Sequence, residues 1–311
     1  MTTAQEQATA WVAVDWGTTH MRLWCLAADG TVLTRRTSDK GMGQIAADAY
    51  ENVLLDLLAD HLPEGAALDV VVCGMAGSRQ GWIEAPYVAT PCDPRAGVAA
   101  TSAPVSDPRF NVHILPGVKQ RDPADVMRGE ETQIRGVIAQ EPGFDGVICL
   151  PGTHTKWVRV QAGRIVEFAT IMSGELFEVI GQYSVLCHSV GNTGWDAAAF
   201  ENSCLKAAQD PTHLIGSLFG LRAQSLLADL GPAAARASLS GLLLGAELGA
   251  MRRLWDATPV TIVGENTLAQ AYATALTLHG QVAQVADAET TTLNGLRDAY
   301  AQLQETEIHG S

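Results

Sequence analysis

The chain holds no apolar run approaching the roughly 20 residues that span a bilayer, and its opening residues, MTTAQEQATA, lack a basic region followed by an apolar stretch. Neither a membrane segment nor a secretory leader is expected, and the cytoplasm is the expected location. Positive charge is scarce: 20 Lys and Arg stand against 34 Asp and Glu, for a formal charge of -14. Such a balance repels a nucleic-acid backbone or an anionic membrane, so neither is an expected partner. No CxxC spacing occurs among Cys25, Cys73, Cys92, Cys149, Cys187 and Cys204, which argues against a zinc site or a disulfide framework. Low-complexity stretches are absent too. With 47% hydrophobic and 17% charged residues over 311 positions, the chain reads as compact and globular, long enough for two domains.

Two common nucleotide signatures are missing. None of Lys40, Lys119, Lys156 or Lys206 follows a glycine, so there is no Walker loop. The run Gly41 to Ala46 matches GxGxxA formally, but a polar loop rather than a buried strand precedes it, as a dinucleotide fold would not allow. The GxSxG elbow of esterases is absent as well.

What is present is a pair of glycine-threonine turns. Residues 11–15, 20–27 and 31–37 read as three strands, with Asp29 and Gly30 between the last two. Gly17 and Thr18 fall between the first two strands. A shift of 135 positions carries them onto Gly152 and Thr153, which sit between GVICL and KWVRV and are followed by RIVEFATI. The plan of strand, Gly-Thr turn, strand, turn, strand therefore occurs twice, a sign of internal duplication. Helical spacing appears over 45–61, a strand over 69–75, a Pro- and Gly-rich passage over 76–111, a strand at 112–115 and a helix over 124–140. Beyond residue 172 the pattern is mostly helical, interrupted by strands at 259–264 and near 282–286.

Such turns suit phosphate. Glycine permits close approach of the backbone, while amides and threonine hydroxyls donate to phosphate oxygens. Gly17, Thr18 and Thr19 form the first candidate grip; Gly152, Thr153, His154 and Thr155 form the second. Asp15, at the end of its strand, is placed to hold Mg²⁺, directly or through water. An ordinary tight turn is the alternative for either hairpin alone.

The segments VDWGTTHMRLW, VVCGMAGSRQGWIEAPY, MRGEETQ, PGTHTKWV, MSGELFEVI and SGLLLGAELGA together resemble the 2-dehydro-3-deoxygalactonokinase family. That family lies within the acetate and sugar kinase, Hsp70 and actin superfamily. The resemblance implies an α/β protein with a two-lobed, actin-like (ribonuclease H-like) ATPase fold and its active site in the interlobe cleft. Lobes of residues 1–134 and 135–311 are expected, the first with the substrate loop and the second with the adenosine site. The implied reaction is ATP- and Mg²⁺-dependent phosphorylation of the 6-hydroxyl of 2-dehydro-3-deoxy-D-galactonate, in galactonate breakdown. ATP and a small sugar acid are the implied partners, and a homodimer is allowed.

The family comparison also implies roles for residues. Glu130 and Glu131 take the place of a helix-borne carboxylate, and phosphoryl transfer needs one group to orient the attacking hydroxyl. Neighbours on a helix point about 100° apart, so one of the two faces the site, and Glu130 is preferred. Where the superfamily often has a second acidic residue this chain has Leu150, which leaves Lys156 either to supply charge to phosphate or to sit solvated. In the loop after the strand at 69–75, Arg79 is the candidate clamp for the acid's carboxylate, with Ser78, Gln80 or Glu84 on its hydroxyls. Trp82 is a further contact or a packing residue, and an interlobe ion pair is the alternative for Arg79. Gly174 and Glu175 begin a helix whose N-terminus is expected to face the cleft, where Ser173 and Glu175 would meet the substrate; simple capping by Ser173 is the alternative. Gly245 and Gly264 are expected to give the adenosine room, close helix packing being the alternative for Gly245. Two other readings are an exopolyphosphatase-like hydrolase, which would need a basic channel, and a non-enzymatic nucleotide switch, which usually carries a further domain.

Overall fold

The computed structural model describes residues 8–63, 65–95 and 100–309. Residues 1–7, which bear on the question of a leader, lie outside the described residues. The chain divides into two compact units: 1–144 with 162–166 and 289–311, and 145–161 with 167–288.

The first unit is built on β1 (Trp11–Trp16), β2 (Met21–Leu26), β3 (Val32–Ser38), α1 (Tyr50–Leu58), β4 (Leu68–Gly74), β5 (Tyr87–Ala89), β6 (Thr101–Ser102), β7 (Phe110–Ile114), β8 (Gly117–Arg121), β9 (Ala124–Met127) and α2 (Glu130–Gln140). Its main sheet runs β3-β2-β1-β4-β7-β6. β1 is antiparallel to β2 and parallel to β4, which is parallel to β7. β1 and β4 are buried along nearly their whole length, as strands covered on both faces must be. On one face Tyr50, Val53, Leu54 and Leu58 of α1 pack with Val12, Val14 and Trp16.

The second unit holds β10 (Gly146–Leu150), β11 (Thr155–Gln161), β12 (Arg164–Ile171), α3 (Ser173–Tyr183), α4 (Ala197–Gln209), α5 (Leu214–Leu227), α6 (Pro232–Trp255), β13 (Val260–Gly264), α7 (Asn266–Thr277) and β14 (Ala283–Asp287), where the first residues of β12 count with the first unit. The sheet order is β12-β11-β10-β13-β14, again with one antiparallel neighbour and one parallel neighbour beside the first strand. Leaving β6 aside, both sheets follow the same order: third, second, first, fourth, fifth. This is the ribonuclease H-like order of the actin-like fold, and it carries the expected duplication from sequence into topology.

The helix α8 (Ala288–His309) returns to the first unit. The Tyr300 ring stacks on Trp11 at 4.3 Å, and Leu293, Leu296 and Ala299 join Trp11, Ala13 and Trp24 in one core. Arg135 of α2 reaches Asp298 at 2.7 Å. The first unit runs to Phe144, past the boundary expected at residue 134, which would cut α2, and it takes in the last helix, which covers the second face of the first sheet. Two further differences are local. The helix expected over 124–140 is a β8–β9 hairpin followed by α2, which cannot begin earlier because Gly129 sits at φ 108. The passage 76–111 contains β5, β6 and the start of β7.

Within the second unit, α6 is the central element. Gly241, Gly245 and Gly249 form a stripe along it, and a Cβ at Gly245 would lie 2.3 Å from the Cys204 carbonyl oxygen of α4. SGLLLGAELGA is thus a helix-crossing segment, with its one carboxylate, Glu247, buried. No helix among the described residues is long and apolar enough to cross a membrane.

Candidate active site

In the first unit Asp15 and Arg22 face each other across the β1–β2 ladder, and Asp15 Oδ2 accepts from Arg22 Nη2 at 2.6 Å. Asp15 Oδ1 is left outside that pair, with the Cys73 thiol 3.8 Å away. The turn between the strands is braced from behind, since the amides of Met42 and Gly43 donate to the carbonyls of Gly17 and Thr18 at 2.9 and 2.8 Å. Thr18, Thr19 and His20 stay exposed, as a phosphate grip needs. The GMG run that fails as a dinucleotide motif therefore serves as the buttress of this turn.

The same corner receives α2. A Cβ on Gly129 would touch the Gly74 Cα at 3.4 Å, and one on Gly74 would lie 3.5 Å from Asp15 Oδ1, so strand end, loop and helix start are in contact. Glu131 is 6% exposed and folds back to accept the Gly129 N–H at 2.7 and 2.9 Å. Burial, reinforced by the neighbouring Glu130, pushes its carboxyl up to about 8. Glu130 is half-buried and accepts the Arg128 N–H at 3.1 Å. The two carboxylates thus differ: Glu131 is an internal cap, and Glu130 is the accessible one.

The loop after β4 is compact. Ala85 N–H donates to the Gly77 carbonyl at 2.9 Å and Trp82 N–H to that of Ala76 at 2.8 Å. Trp82 stacks on Tyr50 at 5.6 Å and meets Trp16 edge-on, which makes it a packing residue first. Arg79 and Gln80 are exposed; Arg79 is 80% exposed and pairs with Glu84 at 3.6 Å. Ser78 is buried. Arg128, assigned no role by the sequence, is buried beneath this loop with its guanidinium 4.3 Å from the Tyr87 ring centre.

In the second unit the β10–β11 turn meets the start of α3. Glu175 N–H donates to the Thr153 carbonyl at 3.0 Å, and a Cβ on Gly174 would lie 2.3 Å from the Gly152 oxygen. His154 Nε2 and Glu175 Oε2 are 2.5 Å apart. Ser173 does not cap α3; its side chain bonds to buried Glu247. Glu247 also accepts from Trp157 Nε1 at 2.7 Å and from the Tyr272 hydroxyl at 3.0 Å. Burial is the largest influence on this carboxyl and raises it to about 7.

Two of the phosphate candidates differ from expectation here. Thr155 is fully buried with its hydroxyl 2.8 Å from that of Tyr272, so it holds the turn rather than facing outward. Lys156 is not a solvated hairpin residue either: it is buried, and its Nζ donates to the His154 carbonyl at 3.3 Å. Gly152, Ser173, Gly174, Glu265, Thr267 and Tyr272 are among the residues that line a pocket of about 940 Å³, within the size range of ligand sites. Gly264 ends β13 one residue before Glu265 but is not itself among the lining residues, and Gly245 belongs to the α4–α6 crossing rather than to the pocket wall. Among the described residues no group of three or more His, Cys, Asp and Glu is arranged to hold a metal.

Sequence reasoning missed Arg22, Arg128 and the Glu247–Tyr272 pair. Arg22 was within reach, since a two-strand hairpin with its turn at 17–20 sets residue 22 opposite residue 15. The others depend on contacts distant in sequence.

A family model for 2-keto-3-deoxy-galactonokinase matches residues 15–299. The chain is 40% identical over 305 residues to a protein of Rhizobium meliloti (strain 1021) named 2-dehydro-3-deoxygalactonokinase DgoK1, covering 96% of this chain and 98% of that one. It is 33% identical to the 2-dehydro-3-deoxygalactonokinase of Escherichia coli (strain K12), over 92% of this chain and 96% of that one. A crystal structure of a protein from Sinorhizobium meliloti described as a 2-dehydro-3-deoxygalactonokinase superposes with a TM-score of 0.88 at 38% identity, over 94% of this chain and 99% of that one. The duplicated sheets, the paired Gly-Thr hairpins and these likenesses converge: the chain belongs to the 2-keto-3-deoxy-galactonokinase family.

Proposed function

We propose that the chain transfers the γ-phosphoryl group of ATP to the 6-hydroxyl of 2-dehydro-3-deoxy-D-galactonate, giving 2-dehydro-3-deoxy-6-phosphogalactonate and ADP in galactonate breakdown. The family match over residues 15–299 carries this reading, because it spans both hairpins and the loop after β4.

The chain's own residues divide the work. Gly17, Thr18 and Thr19 offer amides and hydroxyls to phosphate oxygens, and Gly152, Thr153 and His154 offer a second set. Thr155 and Lys156 set the shape of the second turn from within. The pocket beside Gly264 suits the nucleoside, with the start of α3 as part of its wall. Glu130 orients the acceptor hydroxyl and takes up its proton as the O–P bond forms. Ser78, Gln80 and Glu84 of the loop suit the hydroxyls of the sugar acid.

Mg²⁺ bound with the nucleotide would supply positive charge to the phosphate oxygens. Asp15 is the residue that suits it, directly or through water, since Oδ1 stands outside the Arg22 pair and Mg²⁺ in kinases takes one or two carboxylates beside phosphate and water. A cytoplasmic location fits the six free cysteines, five of them buried. A homodimer fits the exposed apolar residues Leu176, Val179 and Tyr183 of α3 and Ile215, Phe219 and Leu226 of α5. Light scattering of the wild type and of Phe219→Glu tests it: dimer mass for the first and monomer mass for the second are expected, and a wild-type monomer contradicts it.

The position of transfer is tested by ³¹P and ¹³C NMR of the product. A phosphomonoester coupled to C6 is expected; phosphate on another carbon, or free phosphate alone, contradicts the proposal.

A further inference from the structure

Glu247 stands on α6 among apolar neighbours: Leu243, Leu244 and Leu248 are buried with it. Its hydrogen-bond partners come from three other elements. Trp157 Nε1 of β11 donates to Oε1 at 2.7 Å, the Tyr272 hydroxyl of α7 lies 3.0 Å from each oxygen, and the Ser173 side chain at the start of α3 bonds to it as well. All three partners are neutral. Tyr272 carries the chain one step further, since its hydroxyl is 2.8 Å from that of Thr155, the first residue of β11 after the second Gly-Thr turn.

An uncharged side chain of similar volume costs less to bury than a carboxyl does. What the carboxyl offers is acceptor capacity, two oxygens with about four lone-pair sites, so that three donors can meet on it. Protonated, it still bonds all three, with its own proton turned to Tyr272 and that of Tyr272 turned to Thr155. An amide has a single acceptor oxygen, and an aliphatic chain has none. Two of the partners belong to the site: Ser173 and Tyr272 line the pocket of about 940 Å³, whereas Glu247 and Trp157 are not among its lining residues. Ser173 also leads into the residues that touch the second turn, Gly174 against the Gly152 oxygen and Glu175 with its N–H on the Thr153 carbonyl. No side-chain cap holds α3, so its start is located by these contacts and by the bond from Ser173 to Glu247.

We propose that Glu247 is a positioning residue for ATP: by bonding Ser173, Tyr272 and Trp157 together it sets α3 and α7 as two walls of the pocket and fixes the second phosphate turn between them. This rests on the reading of the pocket as the nucleotide's. Glu247 does not touch the nucleotide. It acts through Ser173 on the start of α3 and through Tyr272 and Thr155 on the start of β11.

Steady-state kinetics and NMR of the full chain test this. Glu247→Leu is expected to raise KM for ATP by roughly tenfold while KM for the sugar acid stays within about twofold, and Glu247→Gln, which keeps one acceptor, to recover part of the loss. Tyr272→Phe is expected to raise KM for ATP roughly fivefold alone and by much less in the Glu247→Leu background, because the two act along one path. Should Glu247→Leu fail to fold, the wild type decides through its indole N–H resonances. That of Trp157, which is outside the pocket but bonded to Glu247, is expected to shift with ADP and to stay in place with the sugar acid. Trp195 lines the pocket and has no bond to Glu247, so it reports occupancy alone. A Trp195 resonance indifferent to ADP would overturn the nucleotide reading of the pocket and this inference with it. Trp195 shifting while Trp157 does not, equal rises in both KM values in Glu247→Leu, or additive effects in the double variant would overturn the inference and leave that reading standing.

Discussion

Asp15 and Arg22 are register partners on β1 and β2, and Arg22 grips a single oxygen of Asp15 through Nε at 3.2 Å and Nη2 at 2.6 Å. The arginine fixes the carboxylate's rotamer and leaves Oδ1 as the one oxygen for other partners. It also places a positive charge where a divalent cation would have to approach.

Removing that charge is expected to ease metal binding while loosening the carboxylate. Arg22→Gln should lower the Mg²⁺ concentration for half-maximal rate roughly fivefold, about 1 kcal/mol, and lower kcat as well. Asp15→Asn should lower kcat by about 10²-fold or more. A titration of rate against Mg²⁺ checks both, and an Arg22→Gln enzyme that needs more Mg²⁺ contradicts the arrangement.

Glu130 and Glu131 are expected to part in their effects. Glu130→Gln should cost about 10² to 10⁴ in kcat with little change in melting temperature. Glu131→Gln should change the pH dependence of stability and affect kcat less. Steady-state kinetics with melting curves on both variants decide, and the reverse pattern would assign the base to Glu131.

Stability is expected to fall as pH rises over a defined window. The carboxyls of Glu247 and Glu131 are held at about 7 and about 8, above the ordinary 4.5, so the folded state keeps protons that the unfolded chain has released. Their contribution is full below 4.5 and is lost as pH rises to about 7 for Glu247 and about 8 for Glu131. Melting temperatures between pH 4.5 and 8 test this. Glu247→Gln should flatten the lower part of the slope and Glu131→Gln should flatten it up to the top of the window; a wild type that gains stability across the window contradicts the burial of both groups.

Gly174 is expected to tolerate no side chain, because a Cβ there would meet the Gly152 oxygen at 2.3 Å. Gly174→Ala must push α3 away from the β10–β11 turn. About 1–3 kcal/mol of stability should be lost, together with a rise in KM for ATP that exceeds any rise in KM for the sugar acid. Equal rises would mean that the turn does not serve the nucleotide.

Much of this fold is legible in sequence because its strands are short apolar runs set off by Gly-containing turns. β1, β2, β10 and β11 announce themselves that way, and the shift that superposes Gly17 on Gly152 leads to two sheets of one strand order. The β8–β9 hairpin is not legible: GVKQR and ADVM are polar on the exposed side and too short to show a period. The return of α8 to the first sheet is equally hidden, since it depends on Tyr300 meeting Trp11 across almost the whole chain. Among site residues, the turn glycines and threonines could be read from their position between strands. Whether a side chain beside them is exposed could not: Thr155 and Thr18 look alike in sequence, yet Tyr272 holds the first inside and nothing comparable holds the second. Arg128 carries no local signal either, because its burial comes from Tyr87 and Ala85, far off in sequence.

The central claim is that ATP turnover by this chain requires the sugar acid. The most direct measurement is ADP release, coupled to a reporter, with no acid, with 2-dehydro-3-deoxy-D-galactonate and with its gluconate epimer, for the wild type and for Asp15→Asn. Release that depends on the galactonate acid, exceeds that with the epimer and collapses in Asp15→Asn is the predicted result. ADP release at the same rate with and without either acid would contradict it.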